Sequence, residues 1–110
     1  MERFIKGDII VIPFSFSDLS ISKRRPALVI SNLEGNDIIV CQITSKEIND
    51  NYSLTINFND YQDWSLYKVS NIRPNRLFTI DKNIILYKIG SLKNDIINKT
   101  INKIIDILQS

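Results

Sequence analysis

The chain reads as a mainly β domain, a small and strongly curved antiparallel barrel of about six or seven strands, closed by one C-terminal amphipathic α-helix. Three observations point there. Short β-branched runs recur between turn residues, beginning with Ile9-Ile10-Val11-Ile12. At the end of the chain the hydrophobic period changes: Ile97, Ile101, Ile104, Ile105 and Leu108 fall at helical spacing, while Lys99, Asn102, Lys103 and Asp106 face elsewhere. Finally, 110 residues suffice for one hydrophobic core and are too few for two, so residues 1–110 are expected to form a single domain.

Gly7-Asp8 opens the first strand, whose unbroken apolar run implies burial on both faces, and Pro13 is expected to end it. The segment from Phe14 to Arg24 mixes serines, two aromatics and a basic end, and reads as a long loop of the kind that often carries function. Ala27 to Ser31 is a second buried strand and Asp37 to Thr44 a third, joined by a hairpin turn at Leu33-Glu34-Gly35-Asn36. Tyr52 to Phe58 alternates, with Leu54, Ile56 and Phe58 on one face, as in a half-exposed strand. Leu66 and Val69 lead irregularly into a short strand at Ser70 to Arg73, and Trp64 and Tyr67 are expected to pack. Phe78 to Asp81 and Ile85 to Gly90 supply the last two strands, with Asp81-Lys82-Asn83 turning between them.

Composition narrows the chemistry. Hydrophobic residues at 44% and charged residues at 24% are ordinary for a globular domain. A net charge of +2 is far from that of a protein that coats duplex nucleic acid through many phosphate contacts. The single cysteine, Cys41, lies in an apolar strand pattern, where it is expected to fill the core, and its solitude fits a reducing cytoplasm. No segment resembles a signal peptide and no apolar run approaches the ~20 residues that span a bilayer, so a cytoplasmic location is expected. Without histidine the chain lacks histidine-based triads and histidine-ligated metal sites, and it has no glycine-rich phosphate loop. No metal or cofactor is expected, which leaves arginines, hydroxyls and carboxylates.

The stretch Arg24-Arg25-Pro26-Ala27-Leu28-Val29-Ile30-Ser31 joins a fixed cation to a buried strand. Proline disfavours the helical region for the residue before it, so Arg25 is expected to be extended at the strand's mouth with its guanidinium aimed off the sheet. A rigid, permanently charged fork of that kind suits a phosphate; a surface ion pair with Asp18 is the competing reading. Arg25 lies ten positions before Gly35 and Thr44 nine after it, which brings Thr44 and Ser45 to the same open end of the hairpin, although both would also serve simply to end a strand. A second Arg-Pro pair, Arg73-Pro74, is followed by Asn75 and a second fork at Arg76, residues that would equally suit a solvated connector. Phe14 and Phe16 offer faces on which unpaired bases stack, with core packing the alternative for one of them.

These segments, Gly7-Asp8-Ile9-Ile10-Val11-Ile12-Pro13-Phe14, Lys23-Arg24-Arg25-Pro26-Ala27-Leu28-Val29-Ile30-Ser31, Ile43-Thr44-Ser45 and Phe78-Thr79-Ile80-Asp81, resemble in order the MazF/PemK-type toxins of type II toxin-antitoxin systems. The likeness extends through Lys88-Ile89-Gly90-Ser91-Leu92 into the final helix. It implies a homodimeric barrel with an SH3-like core that cuts single-stranded RNA in a sequence-preferring way without metal, leaving a 2′,3′-cyclic phosphate and a 5′-hydroxyl. It also implies a cognate antitoxin, with which such toxins bind DNA. Carried over by residue, it implies catalytic roles for Arg25 and Thr44 and substrate binding by Phe14, Ser17, Lys23, Arg24, Ser45, Arg73, Asn75 and Arg76. Two departures stand out. Asn75 takes the place of an acidic residue that some relatives carry and that has been proposed as a base, and asparagine takes no proton; the first loop also lacks the glycine-rich stretch of many relatives.

Two other functions remain consistent with the same fold: a binding module that has lost catalysis, and a toxin aimed at a target other than RNA, such as a topoisomerase. For a dimer, Ile96 and Ile107 form a second apolar edge of the helix that a partner would bury.

Overall fold

The computed structural model describes residues 3–14, 23–63 and 68–110. The strands are β1 (Asp8–Phe14), β2 (Lys23–Asn32), β3 (Asp37–Thr44), β4 (Leu54–Ile56), β5 (Tyr61–Asp63), β6 (Ser70–Asp81) and β7 (Tyr87–Leu92), followed by helix α1 (Asn94–Gln109). They form one antiparallel sheet of seven strands, in the order β4-β6-β3-β2-β1-β7-β5, curled into a half-barrel. This is the mainly β architecture with a C-terminal helix that the hydrophobic periods predict.

Because side chains alternate across a strand, the curled sheet buries two apolar sets. One face collects Ile9, Leu28, Cys41, Ile43, Ile56 and Ile72 against Ile96 and Ile97 of α1. The other collects Ile10, Ile12, Ala27, Val29, Ile38, Val40 and Ile80 with Phe4. Both faces of each central strand are therefore covered, which is why β1 to β3 are almost unbroken apolar runs. Cys41 is fully buried in the first set, and loss of hydration pushes its thiol up from 9.0 to about 12, so it is an inert core residue as its context predicted.

Gly7 and Asp8 fasten three strands at once. Gly7 adopts φ 95°, a conformation suited to glycine; its N–H donates to the Val29 carbonyl at 2.9 Å and its carbonyl accepts from Leu92 at 2.9 Å. The buried Asp8 carboxylate accepts from the Ile5 N–H at 2.9 Å and pairs with Lys88 of β7 at 3.2 Å.

Four sequence expectations are corrected. Pro13 does not end the first strand: β1 runs on to Phe14, because its pairing with β7 stops at Val11–Tyr87, so that past Val11 β1 pairs with β2 alone, a position that tolerates a missing N–H. The expected strand over 52–58 shrinks to Leu54–Ile56, and Phe58, expected on its inner face, is 64% exposed at the head of a 3-10 turn that Asp60 closes by accepting from the Asn57 N–H. The two short strands expected at 70–73 and 78–81 are one strand, β6, carrying a bulge. In α1 the buried face comprises Ile96, Ile97, Thr100 and Ile104, leaving Ile105 and Leu108 exposed and Ile96 in the core rather than on a free edge. Ile96 and Ile97 pack on the sheet core, and Thr100 is tolerated in the middle of the same face because its buried hydroxyl donates to the Ile96 carbonyl one turn back at 2.8 Å. The expectation that Trp64 and Tyr67 pack lies outside the described residues.

Candidate active site

On the face that carries Ile38 and Val40, the next two same-side positions of β3 are Gln42 and Thr44. There the apolar surface turns polar. The same change occurs on β2, where Val29 and Ala27 give way to Arg25, and on β6, where Ile80 and Phe78 give way to Arg73. The β2–β3 ladder pairs Ala27 with Gln42, and continuing its register sets Arg25 opposite Thr44. On the other side, β6 pairs Arg73 with Gln42 and Asn71 with Thr44. Three central strands thus deliver Arg25, Gln42, Thr44 and Arg73 to one patch.

Both prolines that follow the key arginines sit where their missing N–H is tolerated. Pro26 lies just beyond the last β2–β3 pair, and Pro74 lies in the β6 bulge. That bulge is three residues deep: Cys41 faces Leu77 while its neighbour Gln42 faces Arg73, so Pro74, Asn75 and Arg76 are extra.

Two adjoining pockets share Arg25 and Thr44. The first, about 240 Å³, is lined by Arg25, Gln42, Thr44, Lys46, Ile48, Arg73 and Arg76. The second, about 350 Å³, is lined by Arg24, Arg25, Pro26, Ile43, Thr44, Ser45, Lys68 and Ser70. Six cations, Arg24, Arg25, Lys46, Lys68, Arg73 and Arg76, therefore converge on a chain whose net charge is only +2. Concentrated charge of one sign attracts a polyanion more effectively than the total suggests. A larger hollow of about 850 Å³ at the β2–β3 turn contains none of the predicted site residues and mixes Arg3 and Lys82 with Glu34.

Hydrogen bonds hold the patch in place. The Lys46 N–H donates to Thr44 Oγ1 at 3.2 Å, which leaves the hydroxyl proton of this buried threonine to point elsewhere. Thr55 donates to Asn71 Oδ1 at 3.0 Å, and Asn71 Nδ2 donates to the Lys46 carbonyl at 3.0 Å, so β4 and β6 together fix the turn that follows Thr44. Arg73 Nη2 lies 3.6 Å from Asp50 Oδ2. Asp50 also accepts from the Ser53 N–H at 2.8 Å and the Tyr52 N–H at 2.9 Å; these backbone donors, Ser53 first, and then Arg73, hold its carboxyl below the usual carboxylate range. Among the described residues no cluster of three or more acidic, cysteine or histidine side chains is available to hold a metal.

Most of the residues singled out in the sequence meet here: Arg24, Arg25, Thr44, Ser45, Arg73 and Arg76. Asn75 is exposed in the bulge and Lys23 is exposed on β2, and neither lines either of these two pockets. The Phe14 backbone pairs with Lys23, while its side chain, Ser17, Phe16 and the suggested ion-pair partner Asp18 lie outside the described residues. Sequence reasoning passed over Gln42, Lys46, Asp50 and Lys68. The legible signal for Gln42 was a long polar side chain two positions before Thr44 in an apolar strand.

A half-barrel whose β2, β3 and β6 deliver arginines and a buried threonine to one rim defines a mainly β domain with a cation-rich rim. More specifically, the model of the PemK-like, MazF-like toxins of type II toxin-antitoxin systems matches residues 5–108, and the chain belongs to this family. Among solved structures, MazE-MazF from Deinococcus radiodurans is similar with a TM-score of 0.78 at 17% identity, covering 96% of this chain and 95% of that one. An endoribonuclease in complex with its cognate antitoxin from a mycobacterial species gives 0.76 at 14% identity, covering 97% and 96%. A mycobacterial endoribonuclease gives 0.65 at 17% identity, covering 94% and 86%. At these identities the likeness is one of fold. No curated protein matches the sequence.

Proposed function

We propose that this chain is a metal-independent endoribonuclease toxin that cuts single-stranded RNA with sequence preference. The observation that carries this reading is the placement of Arg25 and Thr44 on the wall shared by two cation-lined pockets. Pockets of this size, open side by side, suit a strand threaded through them with a phosphate at their junction.

In the proposed reaction the ribose 2′-oxygen attacks the adjacent phosphorus. A P–O2′ bond forms and the bond to the 5′-oxygen breaks; the 2′-hydroxyl proton passes to solvent and the leaving oxygen takes one from solvent. The products are a 2′,3′-cyclic phosphate and a 5′-hydroxyl. Negative charge grows on the nonbridging oxygens and on the leaving oxygen, and Arg25 neutralises it. Because arginine stays protonated in proteins, its part is electrostatic rather than that of a base. Thr44, whose oxygen already accepts from Lys46, donates its proton to the same phosphate. Arg24, Ser45, Arg73 and Arg76 bind flanking phosphates. Phe14, Ser17, Lys23 and Asn75 are proposed to add further substrate contacts.

The proposal includes a protein antitoxin as partner, as in the similar endoribonuclease–antitoxin complex, joint DNA binding with that antitoxin, a homodimeric state and a cytoplasmic location. Incubation with single-stranded RNA in excess chelator tests the central claim: discrete fragments with cyclic-phosphate and 5′-hydroxyl ends are expected. RNA bound but left whole would mark a binding module. Growth arrest on expression without any RNA cutting would mark a toxin with another target.

A further inference from the structure

Two residues that line the first pocket, Gln42 and Arg73, carry buried polar atoms that the mechanism above does not use. Gln42 is 93% buried, being 7% exposed, and its Oε1 has no hydrogen-bond partner. On the residue directly paired with it across the β3–β6 ladder, Arg73 Nε is likewise buried without one. Buried polar groups are nearly always matched, so an unmatched pair at the wall of a pocket calls for an explanation. The two do not satisfy each other, although one accepts and the other donates.

Their complement is a ligand that presents a donor and an acceptor side by side. A phosphate alone does not fit, because at neutral pH its oxygens only accept, which suits Arg73 Nε and leaves Gln42 Oε1 unmatched. A ribose next to its phosphate does fit: a phosphate oxygen accepts from Arg73 while the 2′-hydroxyl donates to Gln42. The placement agrees. Gln42 and Thr44 share a face two residues apart, roughly 7 Å along the strand, and both line the first pocket, so a glutamine has the length to meet a ribose beside the phosphate proposed at Arg25 and Thr44.

We propose that Gln42 contacts substrate and orients the attacking 2′-hydroxyl by accepting its hydrogen bond, with Arg73 Nε on the neighbouring phosphate. This rests on the endoribonuclease reading of the site. Gln42 is then the feature by which the pocket distinguishes RNA from DNA, since only RNA carries that donor. The amide orients the hydroxyl and does not take its proton.

The test uses the full chain and RNA oligonucleotides that span a mapped cleavage site. Two versions, neither cleavable, carry a 2′-amino or a 2′-fluoro group on the ribose 5′ to the cleaved bond; the amino group keeps a donor and the fluoro group does not. Wild-type protein is expected to bind the amino form about 5- to 10-fold more tightly, the ratio one good hydrogen bond supplies. Gln42→Met, which keeps length and loses the amide, is expected to bind both alike. Equal binding of both forms by wild-type protein overturns the inference without recourse to any variant. An amino preference that survives in folded Gln42→Met overturns it too, as does a Gln42→Met effect that depends on the base rather than on the 2′ group. If wild-type protein neither cuts nor binds RNA, the endoribonuclease reading itself fails and this inference falls with it; RNA cut normally with no 2′ preference removes the inference alone.

Discussion

Gln42 stands opposite Arg73 across the β3–β6 ladder while the residue before it, Cys41, stands opposite Leu77. Between those two pairs three residues of β6 leave the register, and the bulge swings Arg76 to the same pocket that Arg73 lines. A bulge beside a binding site re-aims side chains that a regular strand would send to alternate faces.

Asn75 sits at the exposed crest of that bulge and lines neither pocket. Asn75→Ala is therefore expected to lower the RNA cleavage rate by about threefold at most, since the substrate contact proposed for it is solvent-exposed and apart from the two pockets. A loss of a hundredfold or more in a single-turnover assay would show that the crest turns inward to act on substrate.

Arg25→Ala should lower the cleavage rate by about 100- to 1000-fold, the cost typical of removing one preorganised donor from a developing anion. The half-buried Arg25 lies at the rim rather than in either apolar set, so the variant's melting midpoint should stay close to the parent's. Parental activity in a folded Arg25→Ala protein would refute the assignment.

Asp50 is held as a carboxylate by the Ser53 and Tyr52 N–H groups and by Arg73, with a pKa lowered from 3.8. A depressed carboxylate contributes stability that is present above its unfolded pKa and is lost as pH falls through the folded one. The melting-midpoint difference between wild type and Asp50→Asn should thus be constant from pH 7 down to about 4 and shrink below it. A difference that grows on acidification would contradict this geometry.

Gly7→Ala is expected to destabilise the protein by about 1 to 3 kcal/mol, a drop of several degrees in melting temperature. Two causes act together. The backbone has φ 95°, and an added Cβ would overlap Cδ1 of Ile97, so that side chain would have to leave its packed position. A stability change below a few tenths of a kcal/mol, measured by urea unfolding, would mean that Ile97 moves aside freely.

The β character of the chain, the β2–β3 hairpin and the C-terminal helix are legible from local periodicity alone, because burial on a strand or helix face imposes its period on the residues. The Arg25–Thr44 pairing is legible for a related reason: a hairpin's register follows from its turn, and counting outward from Gly35 places the two near each other. Even the bulge after Val29, which shifts that register by one residue, does not part them.

Tertiary structure decided the rest. Whether β6 is one strand or two depends on β3 lying beside it across a three-residue bulge, and β5 exists as a strand only because β7 pairs with it. The face α1 buries is set by its packing on the sheet, where Ile96 and Ile97 join Ile9, Leu28 and Ile72, and Thr100 is tolerated in that face because it bonds the Ile96 carbonyl of its own helix. Gln42 and Arg73 lie 31 positions apart in the chain, and their unmatched atoms become neighbours only when the ladder forms. Periodicity records which way a residue faces, but a site is made of residues from different strands facing one another. That relation is set by long-range pairing, whose register local sequence does not encode.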